Sequence, residues 1–126
     1  MCLEKDDILF IDSSHTVRIG GDVNFLILEI LPKLKPGVII HFHDIPIPNE
    51  YPKIYYLNPK FRVFWTESYL LQAFLSLNVE FEILMAIGFI MKVHDEEFKH
   101  FFPYYNKNEN LLISSSFWIR RKIIHG

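Results

Sequence analysis

The chain has 126 residues, of which 50% are hydrophobic and 16% aromatic, and this composition excludes a disordered protein and indicates one folded domain at most. A formal net charge of −2, with no basic patch among the aromatic residues, excludes a typical nucleic-acid-binding protein. The single cysteine, Cys2, excludes an internal disulfide and a cysteine metal cluster.

The N-terminus and the apolar runs indicate a protein that works in solution inside the cell. The first seven residues are acidic and lack the apolar core of a signal peptide. The longest uncharged apolar stretch, Ile83 to Met91, has nine residues, whereas about 20 are needed to span a bilayer. We therefore expect a cytoplasmic protein with no membrane contact and no nucleic-acid partner.

Short apolar runs alternate with segments of helical periodicity along the chain. The predicted elements, in chain order, are a strand over 8–12, a helix over 23–34 capped by Asp22, a strand over 38–43, a proline-rich loop over 45–64, a helix over 67–77 capped by Thr66, a strand over 81–90, a short helix from Asp95 and a strand over 111–124. This order is typical of half of a doubly wound α/β sheet. Because so few helices cannot easily cover both faces of a sheet, we expect a further part on the N-terminal side.

Chemically competent residues follow the first two predicted strands. Asp12 and His15 follow the first, and His43 and Asp44 end the second. Ligands of open α/β sheets bind just outside the carboxyl ends of the strands, so we expect these side chains to share one crevice. An alternative stays open, because aspartates after strands commonly cap turns and a loop histidine is commonly just solvated.

The two aspartates suggest a divalent metal site. Two carboxylates about 4 Å apart repel by roughly 4 kcal/mol at an effective dielectric constant of 20, so a site that gathers them needs a cation or a proton. Oxygen ligands with open positions suit Mg²⁺. His15 is the candidate general base, since its ordinary pKa of about 6.5 lies near working pH. His43 is the candidate site histidine of its strand, whereas we expect His41 to be packed and hydrogen-bonded.

Aromatic and acidic residues further along the chain are expected near this crevice. Glu50 lies in the proline-rich loop, and Glu67 begins the second long predicted helix. Trp65 and Tyr69 are expected to pack the loop onto the sheet. The chain has no G-x-G-x-x-G motif, no phosphate-binding lysine loop and no glycine-flanked serine nucleophile, so the sequence does not favour a hydrolase.

Several motifs, in the right order, resemble the C-terminal half of a class I S-adenosylmethionine-dependent methyltransferase of the methyltransferase domain 24 type. They are Phe10-Ile-Asp-Ser-Ser-His15, Leu34-Lys-Pro-Gly-Val-Ile-Ile-His-Phe-His-Asp44, Tyr51-Pro52, Trp65-Thr-Glu-Ser-Tyr-Leu-Leu-Gln-Ala-Phe74 and Ser115-Ser-Phe-Trp-Ile-Arg120. The resemblance implies an α/β, Rossmann-like methyltransferase sheet truncated to its second half, strands four to seven with the last antiparallel. Residues 1–126 would then be a single partial domain.

The resemblance also implies a reaction and roles for residues. It implies metal-assisted O-methylation of a sugar or small-molecule hydroxyl, with S-adenosylmethionine as the methyl donor. Asp12 and Asp44 match metal ligands that end strands four and five, and His15 matches the catalytic base of sugar O-methyltransferases. His43 stands where some relatives carry a further acidic ligand, so it is the third candidate for binding Mg²⁺.

The chain departs from the family by lacking strands one to three and their glycine-rich cofactor loop. Its cofactor-binding residues therefore stay unknown, and we expect it to bind S-adenosylmethionine weakly or not at all by itself. The sequence leaves two main interpretations, the substrate-and-metal half of an enzyme or an inactive remnant that pairs through an exposed strand edge. In both, self-association or a missing N-terminal half is expected. A stand-alone metal-binding protein is a third interpretation.

Overall fold

The computed structural model describes residues 2–60, 62–104 and 115–123, which form a four-stranded mixed sheet with helices. The strands are β1 (Ile8–Ile11), β2 (Ile39–His43), β3 (Phe81–Ala86) and β4 (Ser116–Arg121). Their order across the sheet is β1-β2-β4-β3. β1 and β2 are parallel, and β4 is antiparallel to both of its neighbours. The expected α/β class is confirmed.

One continuous helical segment connects β1 to β2. It comprises α1 (Asp22–Asn24), a π-helix over Phe25–Ile30 and a 3₁₀ turn over Leu31–Lys33. Pro32 lies in the 3₁₀ turn, and because proline has no N–H it cannot continue regular helical hydrogen bonding there. The predicted helix is confirmed, but the predicted cap is wrong. Gly21 holds the N-cap position, and the Asp22 carboxylate accepts hydrogen bonds from Ser14 instead.

The remaining helices are α2 (Ile54–Leu57), α3 (Glu67–Leu75), α4 (Ile87–Val93) and α5 (Asp95–Phe101). The predicted strand over 81–90 is wrong in its second half, because the chain turns into α4 after Ala86. The Asn49 side chain donates a hydrogen bond to the Gly88 carbonyl, which attaches α4 to the loop after β2. The start of the predicted last strand, 111–114, and its last residue lie outside the described residues.

The buried core lies on one face of the sheet. Ile40, Phe42, Phe117 and Ile119 point to that face and are fully buried. The helical segment packs there through Val23, Ile27 and Leu31, and α3 adds Leu71, in agreement with the helical spacing of the first segment.

The opposite face of the sheet stays open among the described residues. Phe10 lies beside the rings of His41 and His43 at centroid distances of 5.1 and 6.1 Å, and 56% of its surface is exposed. The His41 ring stacks on Trp118 at 4.0 Å. His41 is packed as expected, but its Nε2 is buried without a hydrogen-bond partner in the described part of the chain. Its pKa is lowered by burial and by the neighbouring His43.

The turn before β2 requires glycine. Gly37 has a φ of +89°, and a Cβ atom there would lie 2.6 Å from the Lys5 side chain. This turn sets the start of β2 beside β1. No helix within the described residues is long and apolar enough to cross a membrane.

The two faces of the sheet predict unequal losses of stability when an aromatic ring is removed. We expect Phe42→Ala to lower the free energy of unfolding by about 3–5 kcal/mol, because it opens a cavity in the core. Phe10→Ala, on the open face, should cost only about 0.2–1 kcal/mol from lost cross-strand contacts. Urea unfolding followed by tryptophan fluorescence measures both, and equal losses would contradict this assignment of the core.

Candidate active site

The carboxyl ends of β1 and β2 bring the predicted site residues together. Because the two strands are parallel neighbours, Asp12 and Asp44, which directly follow them, lie at the same edge of the sheet. The His43 Nδ1 atom lies 3.9 Å from Asp12 Oδ1 and 3.3 Å from Asp44 Oδ2. The expectation of adjacent strand ends is confirmed, and a histidine nitrogen stands within ion-pair distance of both carboxylates.

The environment of His43 bears on the expected metal site. Its Nδ1 atom is buried, and although it lies close to both carboxylates it forms no hydrogen bond with the described residues. Within the described ranges, no group of three or more His, Cys, Asp or Glu residues is placed to hold a metal ion. The metal roles of Asp12, Asp44 and His43 gain no support from this donor set and stay predictions.

His15 is the most enclosed of the predicted site residues. It is 5% exposed and adopts a left-handed backbone conformation with a φ of +56°. Its Nδ1 lies 2.7 Å from Glu67 Oε2, and its Nε2 lies 3.5 Å from Asp12 Oδ1. The ring therefore spans the space between a buried carboxylate and the strand-end carboxylates.

Glu67 is the residue that sequence reasoning placed near the crevice without a role. It begins α3, where the helix N-terminus favours a negative charge, and it is 1% exposed. Its Oε2 accepts a hydrogen bond from Ser13 Oγ at 2.7 Å, as well as contacting His15. Its Oε1 has no partner among the described residues. A glutamate at the start of a helix was the available signal, but its partner lies 52 residues away.

Backbone hydrogen bonds fasten the loop after β1 to the start of α3. The His15 carbonyl accepts hydrogen bonds from the Thr66 and Glu67 amides at 2.8 and 3.1 Å. The Val17 amide donates a hydrogen bond to Thr66 Oγ1 at 2.8 Å, so the Thr66 side chain contacts the loop. The prediction that Thr66 caps its own helix is therefore wrong. His15 is thus held by its main chain as well as by its ring.

The surroundings of His15 favour its protonated form. Burial by itself lowers the pKa of His15, but the hydrogen bond and charge of Glu67, aided by Asp44 and Asp12, outweigh burial and raise it above 6.5. If Nδ1 carries the ring proton and donates a hydrogen bond to Glu67, a neutral His15 presents an unprotonated Nε2 toward Asp12. This arrangement is suited to accepting a proton from a group bound at the strand ends.

Aromatic side chains connect His15 to a cavity beside Asp44. The Trp65 ring lies 4.3 Å from the His15 ring and contacts Tyr51 and Tyr55 at 6.1 and 5.1 Å. Trp65 therefore contacts the loop, and Tyr69, although 50% exposed, also contacts it through the Tyr51 ring at 6.0 Å and a hydrogen bond that it donates to Glu50. The cavity, of about 240 Å³, is called the loop cavity below, and its lining includes Asp44, Pro46, Tyr51, Tyr55, Gly88 and Met91.

A comparison with protein families bears on the strand-end residues. Residues 3–45 match a family model described as a methyltransferase domain. The resemblance to a methyltransferase domain is confirmed for this segment. It contains Asp12, His15, His43 and Asp44, whereas Glu67 and most of the lining of the loop cavity lie outside it. No curated protein and no solved structure gave a significant match to the chain.

The contact between Glu67 and His15 predicts how this histidine titrates. In Glu67→Gln the negative charge is lost while the burial of the ring persists, so we expect the pKa of His15 to fall. The pKa is measured by ¹⁵N-detected NMR titration of the imidazole. Glu50→Gln is the control, since Glu50 bonds Tyr69 and the Tyr51 amide and should leave His15 unchanged. An unaltered pKa in Glu67→Gln would contradict the assigned contact.

The same contact gives stability a definite pH dependence. Because the pKa of His15 is raised in the folded state, its stabilisation is complete below the unfolded value of about 6.5. It is lost as the pH rises through the raised folded value. The difference in unfolding free energy between the native chain and Glu67→Gln should therefore shrink with increasing pH.

Proposed function

We propose that this chain carries the acceptor side of an S-adenosylmethionine-dependent methyltransferase, with β1 to β4 corresponding to strands four to seven of that fold. The family match over residues 3–45 supports a methyltransferase-like function. The sheet supports the strand correspondence, because the last strand in sequence lies between β2 and β3 and is antiparallel to both. The finer assignment to a hydroxyl acceptor rests on the chemistry of the strand ends.

The pairing of His15 with Glu67 is the observation that carries this proposal. S-adenosylmethionine, when bound, supplies an electrophilic methyl group whose bonding electron pair stays with the departing sulfur. His15 Nε2 would accept the O–H proton of an acceptor hydroxyl whose oxygen takes up that methyl group. Glu67 Oε2 accepts a hydrogen bond from the Nδ1–H group of the same ring, which fixes the orientation of the ring and stabilises the imidazolium after proton transfer.

The described residues fit the acceptor side better than the cofactor side. The strand ends provide a base at His15 and carboxylates at Asp12 and Asp44. The sequence has no G-x-G-x-x-G turn, so we assign no residue of this chain to holding S-adenosylmethionine. Mg²⁺ is given no role in the proposed reaction, because the donor set offers no three-ligand arrangement within the described residues.

Methyl transfer at millimolar S-adenosylmethionine tests this function, since a high concentration compensates for weak binding. With a tritiated methyl donor and a panel of small-molecule hydroxyl compounds, we expect transfer by the native chain. His15→Ala should lower the rate by about 10²–10⁴-fold, the usual contribution of a positioned base.

His100→Ala is the matched control, because His100 is an exposed histidine on α5. It should leave the transfer rate unchanged. Equal rates in the native chain and His15→Ala would remove the catalytic role of His15. No transfer to any acceptor would contradict the proposed function.

A second candidate function is pairing with another chain through the edge of the sheet. Among the described strands β1 lies at an edge, and its Ile8 and Phe10 are 53% and 56% exposed. Phe25 and Leu28, on the neighbouring helical segment, are also more than half exposed, at 56% and 53%. An apolar strand edge with unpaired backbone groups is a template for pairing, so we propose that the chain self-associates there.

Sedimentation velocity over a concentration series tests this association. We expect dimers or larger species to grow with concentration in the native chain. Ile8→Lys should weaken the association, because a charge on an edge strand opposes pairing. Leu77→Lys changes an equally apolar residue, 101% exposed, after α3 and should have no effect. A monomer at every concentration would refute the pairing function.

A further inference from the structure

The loop cavity has the lining of a binding site for a molecule smaller than a typical drug. Its volume of about 240 Å³ lies below the roughly 300–1,000 Å³ of pockets for drug-sized ligands. Pro46, Tyr51, Tyr55 and Met91 give it walls that are mainly apolar and aromatic. A compound with one ring matches this volume and these walls.

Five polar or charged side chains line the cavity besides its tyrosines, and two of them, Asn49 and Glu50, are engaged with the protein itself. The Asn49 amide donates to the Gly88 carbonyl at 2.9 Å. Glu50 Oε1 accepts hydrogen bonds from the Tyr51 amide at 2.9 Å and the Tyr69 hydroxyl at 2.5 Å. A sugar has hydroxyl groups around its whole ring, and each one buried without a partner costs free energy. Because the wall is mainly apolar, the cavity suits an aromatic compound better than a sugar.

Asp44 connects the cavity to the crevice of His15. Its carboxylate lines the cavity, and its side chain is 28% exposed. Its negative charge contributes to raising the pKa of His15 on one side and of Tyr55 on the other, after the larger effects at each group. Asp44 also has a φ of +57°, so its carboxylate is presented by a left-handed residue at the strand end. A hydroxyl group at this end of the cavity would face a carboxylate acceptor.

Close packing at Gly88 holds another part of the cavity wall in place. A Cβ atom on Gly88 would lie 3.0 Å from both the Asn49 side-chain nitrogen and the Pro46 carbonyl oxygen. The first turn of α4 and the loop after β2 thus approach each other as closely as a glycine allows.

We propose that the loop cavity binds a compact aromatic compound with one hydroxyl group, and that this hydroxyl points to Asp44. The proposal rests on the proposed function in one respect, since it makes this hydroxyl the methyl acceptor. It narrows the acceptor from a sugar or any small molecule to a phenol-like compound.

Binding measured without cofactor separates this proposal from the proposed function. The probes are 4-methylphenol and methyl β-glucoside, titrated to millimolar concentration and followed by amide chemical shifts in NMR spectra. We expect 4-methylphenol to bind, with the largest shifts near Asp44, Tyr55 and Met91, and methyl β-glucoside not to bind.

Two adjacent tyrosines provide a matched pair of variants. Tyr55 lines the cavity, whereas Tyr56, next to it in α2, is not part of the lining and is 46% exposed. Tyr55→Ala should weaken binding of 4-methylphenol by about tenfold, the value of one lost aromatic contact. Tyr56→Ala should leave it unchanged.

Three results would overturn the proposal, namely no binding of 4-methylphenol, tighter binding of the glucoside, or equal binding in Tyr55→Ala and the native chain. Binding of 4-methylphenol without methyl transfer to any acceptor would leave the cavity assignment standing and remove the proposed function. Methyl transfer to a sugar without binding of 4-methylphenol would remove the cavity assignment and leave the proposed function standing.

Discussion

The buried contact between His15 and Glu67 is the interaction on which the site depends. It joins the loop after β1 to the first turn of α3 across 52 residues of sequence. Burying a carboxylate and an imidazole is costly unless they are paired and hydrogen-bonded, and here Ser13 and the main chain of His15 add the further bonds. Because the main-chain bonds and the ring contact act together, the position of His15 follows from the position of α3.

The same contact determines which side of α3 faces the core. Glu67 and Leu71, four residues apart, are buried, and Leu70 and Phe74 pack beside them. Tyr69, within the same helix, is 50% exposed. Fixing a polar residue at the start of the helix sets its rotation, which apolar spacing alone left open.

At the strand ends, each of the two aspartates lies within 4 Å of a histidine nitrogen. Asp12 lies near both histidines, since its Oδ1 is 3.5 Å from His15 Nε2 and 3.9 Å from His43 Nδ1. Asp44 lies near His43 and contributes to the charge felt by His15. His15 and Asp44 both adopt left-handed backbone conformations, which aspartate and histidine tolerate better than most residues. The ionisable groups that the sequence singled out therefore lie together at one edge of the sheet.

The sequence by itself determined the local elements and the ends of the first two strands. Apolar runs defined β1 and β2, and the polar residues directly after them identified Asp12, His43 and Asp44 as neighbours, because sequential parallel strands pair. The predicted strand over 81–90 is wrong after Ala86, because the apolar run continues there as α4. Such a run fits a strand or a buried helix equally well, and hydrogen bonding to Asn49 decides between them.

Only the tertiary structure decided the partner of His15, the rotation of α3 and the existence of the loop cavity. Each depends on contacts between segments far apart in sequence, and periodicity within one segment carries no information about such contacts. Glu67 shows this most clearly, since a glutamate that begins a helix is ordinary until a histidine 52 residues earlier reaches it. The sequence determines which groups stand at the strand ends, and the packing of α3 against the loop after β1 determines what those groups can do.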